Sequence, residues 1–148
     1  MADYTPAHLR IGGEITAAQD QEIQRLSHDD AEMVLGQFCE IWDNQACGGE
    51  FPEIEEYLIT ENIAFDRFSE PALGYDGRLV QFRPGMDEPM EFTASADNEE
   101  RLVPVREIAA ILSTHQQDGS PGEALVERLQ IVCGPAVAPL PRFSIRPG

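Results

Sequence analysis

Ala31-Glu32-Met33-Val34-Leu35-Gly36-Gln37-Phe38-Cys39-Glu40-Ile41-Trp42-Asp43 is the stretch on which the reading of the fold turns. Ala31, Val34, Leu35, Phe38, Ile41 and Trp42 recur at helical spacing and form one broad apolar stripe. On a helical wheel Asp29, Glu32, Glu40 and Asp43 fall on the opposite side, with Gly36 among them. The pattern predicts an amphipathic helix, opened by Ser27 or Asp30 as cap and closed at Gly48-Gly49, a pair suited to a left-handed C-terminal cap.

Upstream, Thr16 with Gln19 three residues on forms a capping box that opens a short helix to about Leu26. Residues 1–15, with Pro6, Gly12 and Gly13, read as a flexible N-terminal arm. Downstream, Phe51-Pro52 starts a helix with proline in its first turn; Ile54, Tyr57 and Leu58 face inward and Glu53 and Glu56 point away. Ile63, Phe65 and Phe68 suggest a short helical turn or a packed loop. Asp76-Gly77, between residues 73–75 and 78–82, is a hairpin signal, and Met90 to Ser95 supplies the next strand.

Pro104 opens a helix with Val105, Ile108, Ala109 and Leu112 on one face. Ser120-Pro121-Gly122-Glu123 starts a last helix to about Cys133, stopped by Gly134-Pro135. The proline-rich tail, residues 135–148, alternates Phe143 with Ile145 and reads as an edge strand or an extended arm on a neighbour. The expected architecture is α+β: four or five helices packed with a small antiparallel sheet of two to four strands in a single compact domain. That domain spans residues 16–134, with an acidic helical lobe at about 16–69 and a mixed β/α part at about 70–134.

Charge sets the function classes. The chain of 148 residues has 27 Asp and Glu against 10 basic side chains, a net charge of −17. Residues 1–76 hold 17 acidic and 3 basic groups, net −14, and residues 77–148 hold 10 and 7, net −3. Such a chain is repelled by nucleic-acid phosphates and by anionic membrane surfaces, so direct binding to either is disfavoured. No apolar run approaches the roughly 20 residues of a membrane span and no signal-like segment opens the chain, which makes a cytoplasmic protein the expectation. Three cysteines, Cys39, Cys47 and Cys133, are an odd number without framework spacing, as for reduced thiols. Every basic residue is Arg and none is Lys. Codon bias and a salt-adapted proteome both compete with function as causes of that composition.

Motifs for chemistry are lacking. His28-Asp29-Asp30 would fan out on a helix instead of converging, and no HExxH, CxxC or calcium-loop spacing occurs, so neither a metal nor a cofactor is expected. No nucleophile elbow and no phosphate-cradling glycine loop is present. Cys39, on the border of the apolar stripe, reads as a small hydrophobe; Cys47, near a helix end and among carboxylates, is in the wrong setting for a thiolate. The chain therefore reads more as a binding protein than as an enzyme.

Asp29 to Asp43 spans about 21 Å of helix, and Glu53 and Glu56 extend the acidic surface. Asp29, Glu32, Glu40, Asp43, Glu53 and Glu56 are the expected contacts to a basic protein surface, as in an inhibitor occupying a nucleic-acid-binding site. Small acidic proteins of this kind are frequent among phage and mobile-element products. Two alternatives stand beside it: an accessory or regulatory subunit that binds through apolar surface and the tail residues Phe143 and Ile145, and an enzyme with an unrecognised site.

Overall fold

The decisive stretch is a β-hairpin. Val34, Glu40, Met33, Ile41, Glu32 and Trp42 pair across it (Val34 with Glu40, Met33 with Ile41, Glu32 with Trp42), and Leu35 with Cys39 closes it around Gly36-Gln37-Phe38. The computed structural model describes residues 4–27, 31–71, 76–95 and 100–147. Within them the order is β1 (Tyr4–Ile11), β2 (Glu14–Thr16), α1 (Ala17–Leu26), β3 (Glu32–Leu35), β4 (Cys39–Cys47), α2 (Pro52–Thr60), β5 (Phe65–Ser69), β6 (Gly77–Phe82), β7 (Met90–Ala94), α3 (Val105–Asp118), α4 (Gly122–Cys133) and β8 (Ser144–Arg146).

The helix expected over residues 31–47 fails for a local reason. Cys39 and Ile41 are buried while Trp42 is exposed and Glu40 half-exposed, an alternation with period two that the wider apolar stripe conceals. Val34, Ile41, Phe38 and Trp42 are β-branched or aromatic, and Gly36 costs a helix about 1 kcal/mol relative to Ala but suits a tight turn. Gly48 and Gly49 do adopt left-handed backbone, φ 64° and 68°, but they turn the chain from β4 into α2 and cap no helix.

The sheet is larger than expected. Six strands run antiparallel in the order β3-β4-β1-β5-β6-β7, and β2 and β8 form a separate two-stranded parallel sheet. The class is α+β with four helices among the described residues, and the expectation of two to four strands is overturned. Residues 4–11, read as a loose arm, are the central strand β1: Ala7, Leu9 and Ile11 are buried, with His8 and Arg10 alternating between them. Pro6, which has no N–H, falls where the β1–β4 register shifts between Thr5 and Ala7, the bulge a central strand needs to hold a proline.

β5, β6 and β7 complete the sheet by antiparallel pairing, and the segment expected as a turn or loop around Phe65 and Phe68 is β5. Residues 73–75, expected on one side of the Asp76-Gly77 turn, lie outside the described residues. α1 and α2 form where expected: Thr16 and Gln19 make the reciprocal capping box, and Pro52 opens α2. Ile23 of α1 and Ile54 and Leu58 of α2 join Leu9, Ile11, Ile41, Phe65, Val80 and Phe82 in one core, so both helices cover the same face of the sheet. On the other face a row runs Trp42, His8, Phe68, Leu79, Phe92 across five strands.

The tail lies on its own chain. β8 pairs with β2, Phe143 is buried in the core, and the Gly13 N–H donates to the Pro141 and Arg142 carbonyls. The chain divides into two compact units: residues 1–101 with 139–148, and residues 102–138. The second unit holds α3 and α4, packed against each other. Gly119, φ 61°, ends α3, and Asp118 accepts the Ser120 N–H at 2.9 Å in the turn. No helix among the described residues is long and apolar enough to cross a membrane.

Candidate functional site

Arg67 sits in the middle of β5 on the helix-covered face, between Leu9 of β1 and Val80 of β6. A guanidinium in that position is stable only if its buried donors find partners, and no buried side-chain nitrogen or oxygen among the described residues lacks one. Its Nε donates to Glu55 Oε1 at 2.8 Å, and Nη1 donates to the Gly49 carbonyl at 2.8 Å and to Ser69 Oγ at 2.6 Å. The second oxygen of Glu55 accepts the Phe51 N–H at 2.7 Å, at the otherwise uncapped start of α2. Arg67 thus ties α2, the Gly48-Gly49 turn and the sheet together.

Beside this post lies an open cleft of about 460 Å³, lined among others by Glu50, Glu55, Glu56, Arg67, Val80 and Glu91. Glu50 stands 3.9 Å from Arg67 and 3.7 Å from Arg78, and Glu91 stands 3.4 Å from Arg78. Arg78 also donates to the Gly48 carbonyl at 2.6 Å. Among the described residues the lining holds four carboxylates: Glu55 is bound by Arg67, Glu50 and Glu91 face Arg78, and Glu56 has no ion pair. Chemically this is a seat for a cationic group such as an arginine or lysine side chain. Glu53 and Glu55 in the first turn of α2 are further favoured by the helix dipole.

The five described residues of the six expected contacts do not form one stripe. Glu32 and Glu40 lie on the β3–β4 hairpin on the face away from α1 and α2, and Asp29 lies outside the described residues. Glu40 is already held: its Oε1 accepts from Arg10 Nε at 3.0 Å and lies 3.2 Å from His8 Nε2, while the His8 ring stacks on Trp42 at 3.7 Å. Asp43 accepts the Gln45 N–H at 2.9 Å near the end of β4. Glu53 and Glu56 are exposed on α2, and of the five described residues Glu56 alone lines the cleft. Of the tail pair, Phe143 is buried and Ile145 is 39% exposed opposite Ile15. The sequence reading passed over Arg67 and Glu91. The alternation Phe65-x-Arg67-x-Ser69 was the available signal, since a strand placing Phe65 inward places Arg67 inward too.

Other reactive groups have structural settings. Burial pushes the Cys39 thiol up to about 12, with Asp20 and Glu40 adding to the shift. Cys47 is exposed at the end of β4, where a helix terminus was expected. His115 Nδ1 lies 3.0 Å from Ser120 Oγ, within the α3–α4 turn. Hydrogen bonds from Ser120 to the Asp118 carboxylate, with Arg128 nearby, hold Asp118 below the usual carboxylate range. No group of three or more His, Cys, Asp or Glu among the described residues is placed to hold a metal ion. No protein-family model, no curated protein and no solved structure matches this chain.

Proposed function

We propose that the chain is a non-enzymatic binding protein whose acidic surface occupies a basic, nucleic-acid-binding surface of a partner protein. The observation that carries this reading is the cleft lined by Glu50, Glu55, Glu56 and Glu91 against the single buried guanidinium of Arg67 among the described lining residues, with Arg78 flanking Glu50 and Glu91. It replaces the helical stripe as the seat of recognition: a partner's arginine or lysine enters between α2 and β7, and the exposed Glu53 lies on the same helix. The unit of residues 1–101 with 139–148 carries 23 acidic and 8 basic groups, net −15, so long-range attraction to a basic partner adds to the local contact.

The test is titration of the full chain with an oligoarginine peptide at low and moderate salt, read by calorimetry. Affinity should fall steeply with salt. It should drop with Glu50, Glu56 and Glu91 all changed to Gln, and much less when Glu32, Glu61 and Glu70 are changed instead. Equal losses in the two triple variants, or binding indifferent to salt, would falsify the cleft as the recognition site. A second reading, an accessory subunit that binds through apolar surface, is favoured by the exposure of Val105 (76%), Val126 (54%) and Ile131 (81%) on α3 and α4.

A further inference from the structure

β3 ends the six-stranded sheet, with β4 on one side and no strand on the other among the described residues. Its side chains are unusual for a charged chain's edge: Val34 is 43% exposed and Leu35 57%. Native edges are commonly guarded by charge or proline, and here the only guard is Glu32 at the start of the strand.

The backbone direction follows from the turn. The Gly36 N–H donates to the Phe38 carbonyl at 3.0 Å, which makes Leu35–Cys39 a non-hydrogen-bonded pair. The peptide groups of Val34 therefore turn toward β4, and those of Met33 and Leu35 point outward. Met33 packs against the helix-covered core, so Met33 and Leu35 share that face and Val34 stands on the other.

We propose that two copies of this chain join antiparallel through β3, extending the two sheets into one. The register that keeps like faces together centres on Val34. Val34 stands beside the second copy's Val34, and Met33 beside its Leu35, twice. The outward peptide groups of Met33 and Leu35 then exchange four hydrogen bonds. Glu32 falls opposite Gly36, which has open space where a side chain would be, so no carboxylate meets another directly. A strand that is apolar and self-complementary in this register fits its own copy better than a basic peptide, whose charges would find only Glu32.

Sedimentation of the full chain tests this. The mass should move from one chain toward two as concentration rises. Because each copy carries −17, added salt should strengthen the dimer, the reverse of its effect on a basic partner. Val34→Lys or Val34→Glu alone places like charges together at the centre and should abolish the dimer. An equal mixture of the two variants should restore it. That rescue separates a lost interface from a misfolded chain. A wild-type chain that stays at one mass throughout, leaving the edge to an extended segment of another protein, overturns the proposal. So does a Val34→Lys variant that dimerises as well as wild type, or a mixture of folded variants that does not pair.

Discussion

Glu55→Ala is the perturbation that most directly tests how the cleft is held. The change removes the acceptor of Arg67 Nε and that of the Phe51 N–H together. Arg67 keeps its place in β5 with a side chain only 5% exposed, so its charge is left with the distant Glu50 at 3.9 Å. Removing one partner of a buried pair costs about 3–5 kcal/mol, the cost arising from the stranded charge more than from the lost bond. Glu55→Gln keeps an acceptor without the charge and should cost about 1.5–3 kcal/mol. Arg67→Met should cost less than Glu55→Ala, because Glu55 retains the Phe51 N–H and Ser69 Oγ still donates to the Gly49 carbonyl. The assay is equilibrium unfolding in urea followed by circular dichroism. With a slope of about 2 kcal/mol/M, Glu55→Ala should lower the midpoint by roughly 2 M. The double variant should cost less than the sum of the two single changes by about 1–3 kcal/mol. A midpoint shift under about 0.5 M for Glu55→Ala, or strict additivity, would refute the account of Arg67 as a post dependent on its carboxylate.

Two further outcomes follow from packing. A Cβ on Gly12 would lie 2.2 Å from the Pro141 carbonyl oxygen and 2.7 Å from Leu140 Cγ, so Gly12→Ala should unseat the tail and expose Phe143. A loss of about 3 kcal/mol lowers the melting temperature by roughly 10 °C, with proteolysis starting within residues 135–147; an unchanged melt and digest would refute it. With its thiol pushed up to about 12 and buried, Cys39 should resist a thiol reagent at mildly alkaline pH while exposed Cys47 is modified at once. Peptide mapping that finds Cys39 labelled alongside Cys47 in the folded chain would count against the packing of β4.

Local signals in the sequence located the four helices and missed four of the six strands of the larger sheet. Thr16 with Gln19, Pro52, and Gly119 and Gly134 after α3 and α4 act within a few residues of themselves, so the four helices are legible without knowing what packs on them. β1 carries a period of two in Ala7, Leu9 and Ile11, but Pro6 and the Gly12-Gly13 pair frame it as a loop, and only the bulge reconciles them. The hairpin of β3 and β4 is harder, because folding a chain about Gly36-Gln37-Phe38 leaves apolar residues at spacings that a helical wheel also gathers to one side. The cleft was legible only in part: Glu55 and Glu56 are adjacent on a recognisable helix, whereas Glu91 joins them through the pairing of β6 with β7, a long-range contact that no local pattern encodes.

The lysine-free composition acquires a physical meaning once the arginines are followed. A guanidinium has five donors in a rigid fork, where an ammonium is a single compact point, and this fold uses the difference. Arg83 Nη1 reaches the Phe65 carbonyl, the Phe82 carbonyl and the Asp66 carboxylate, and Arg67 serves Glu55 through Nε and Gly49 and Ser69 through Nη1. Arg10 holds Glu40 across β1 and β4. Placing these cations between strands neutralises carboxylates that would otherwise repel inside the sheet. It leaves Glu53, Glu56 and Glu61 on and beside α2 with no ion pair to an arginine among the described residues, and all three are exposed. The same deployment explains why an acidic chain tolerates a net −17: the repulsion is carried at the surface, where salt screens it, and the interior is paired. A partner that brings positive charge to α2 relieves that repulsion as it binds, whereas a second copy at β3 adds to it. Opposite responses to salt at the two surfaces are therefore a consequence of where the fold has placed its ten arginines.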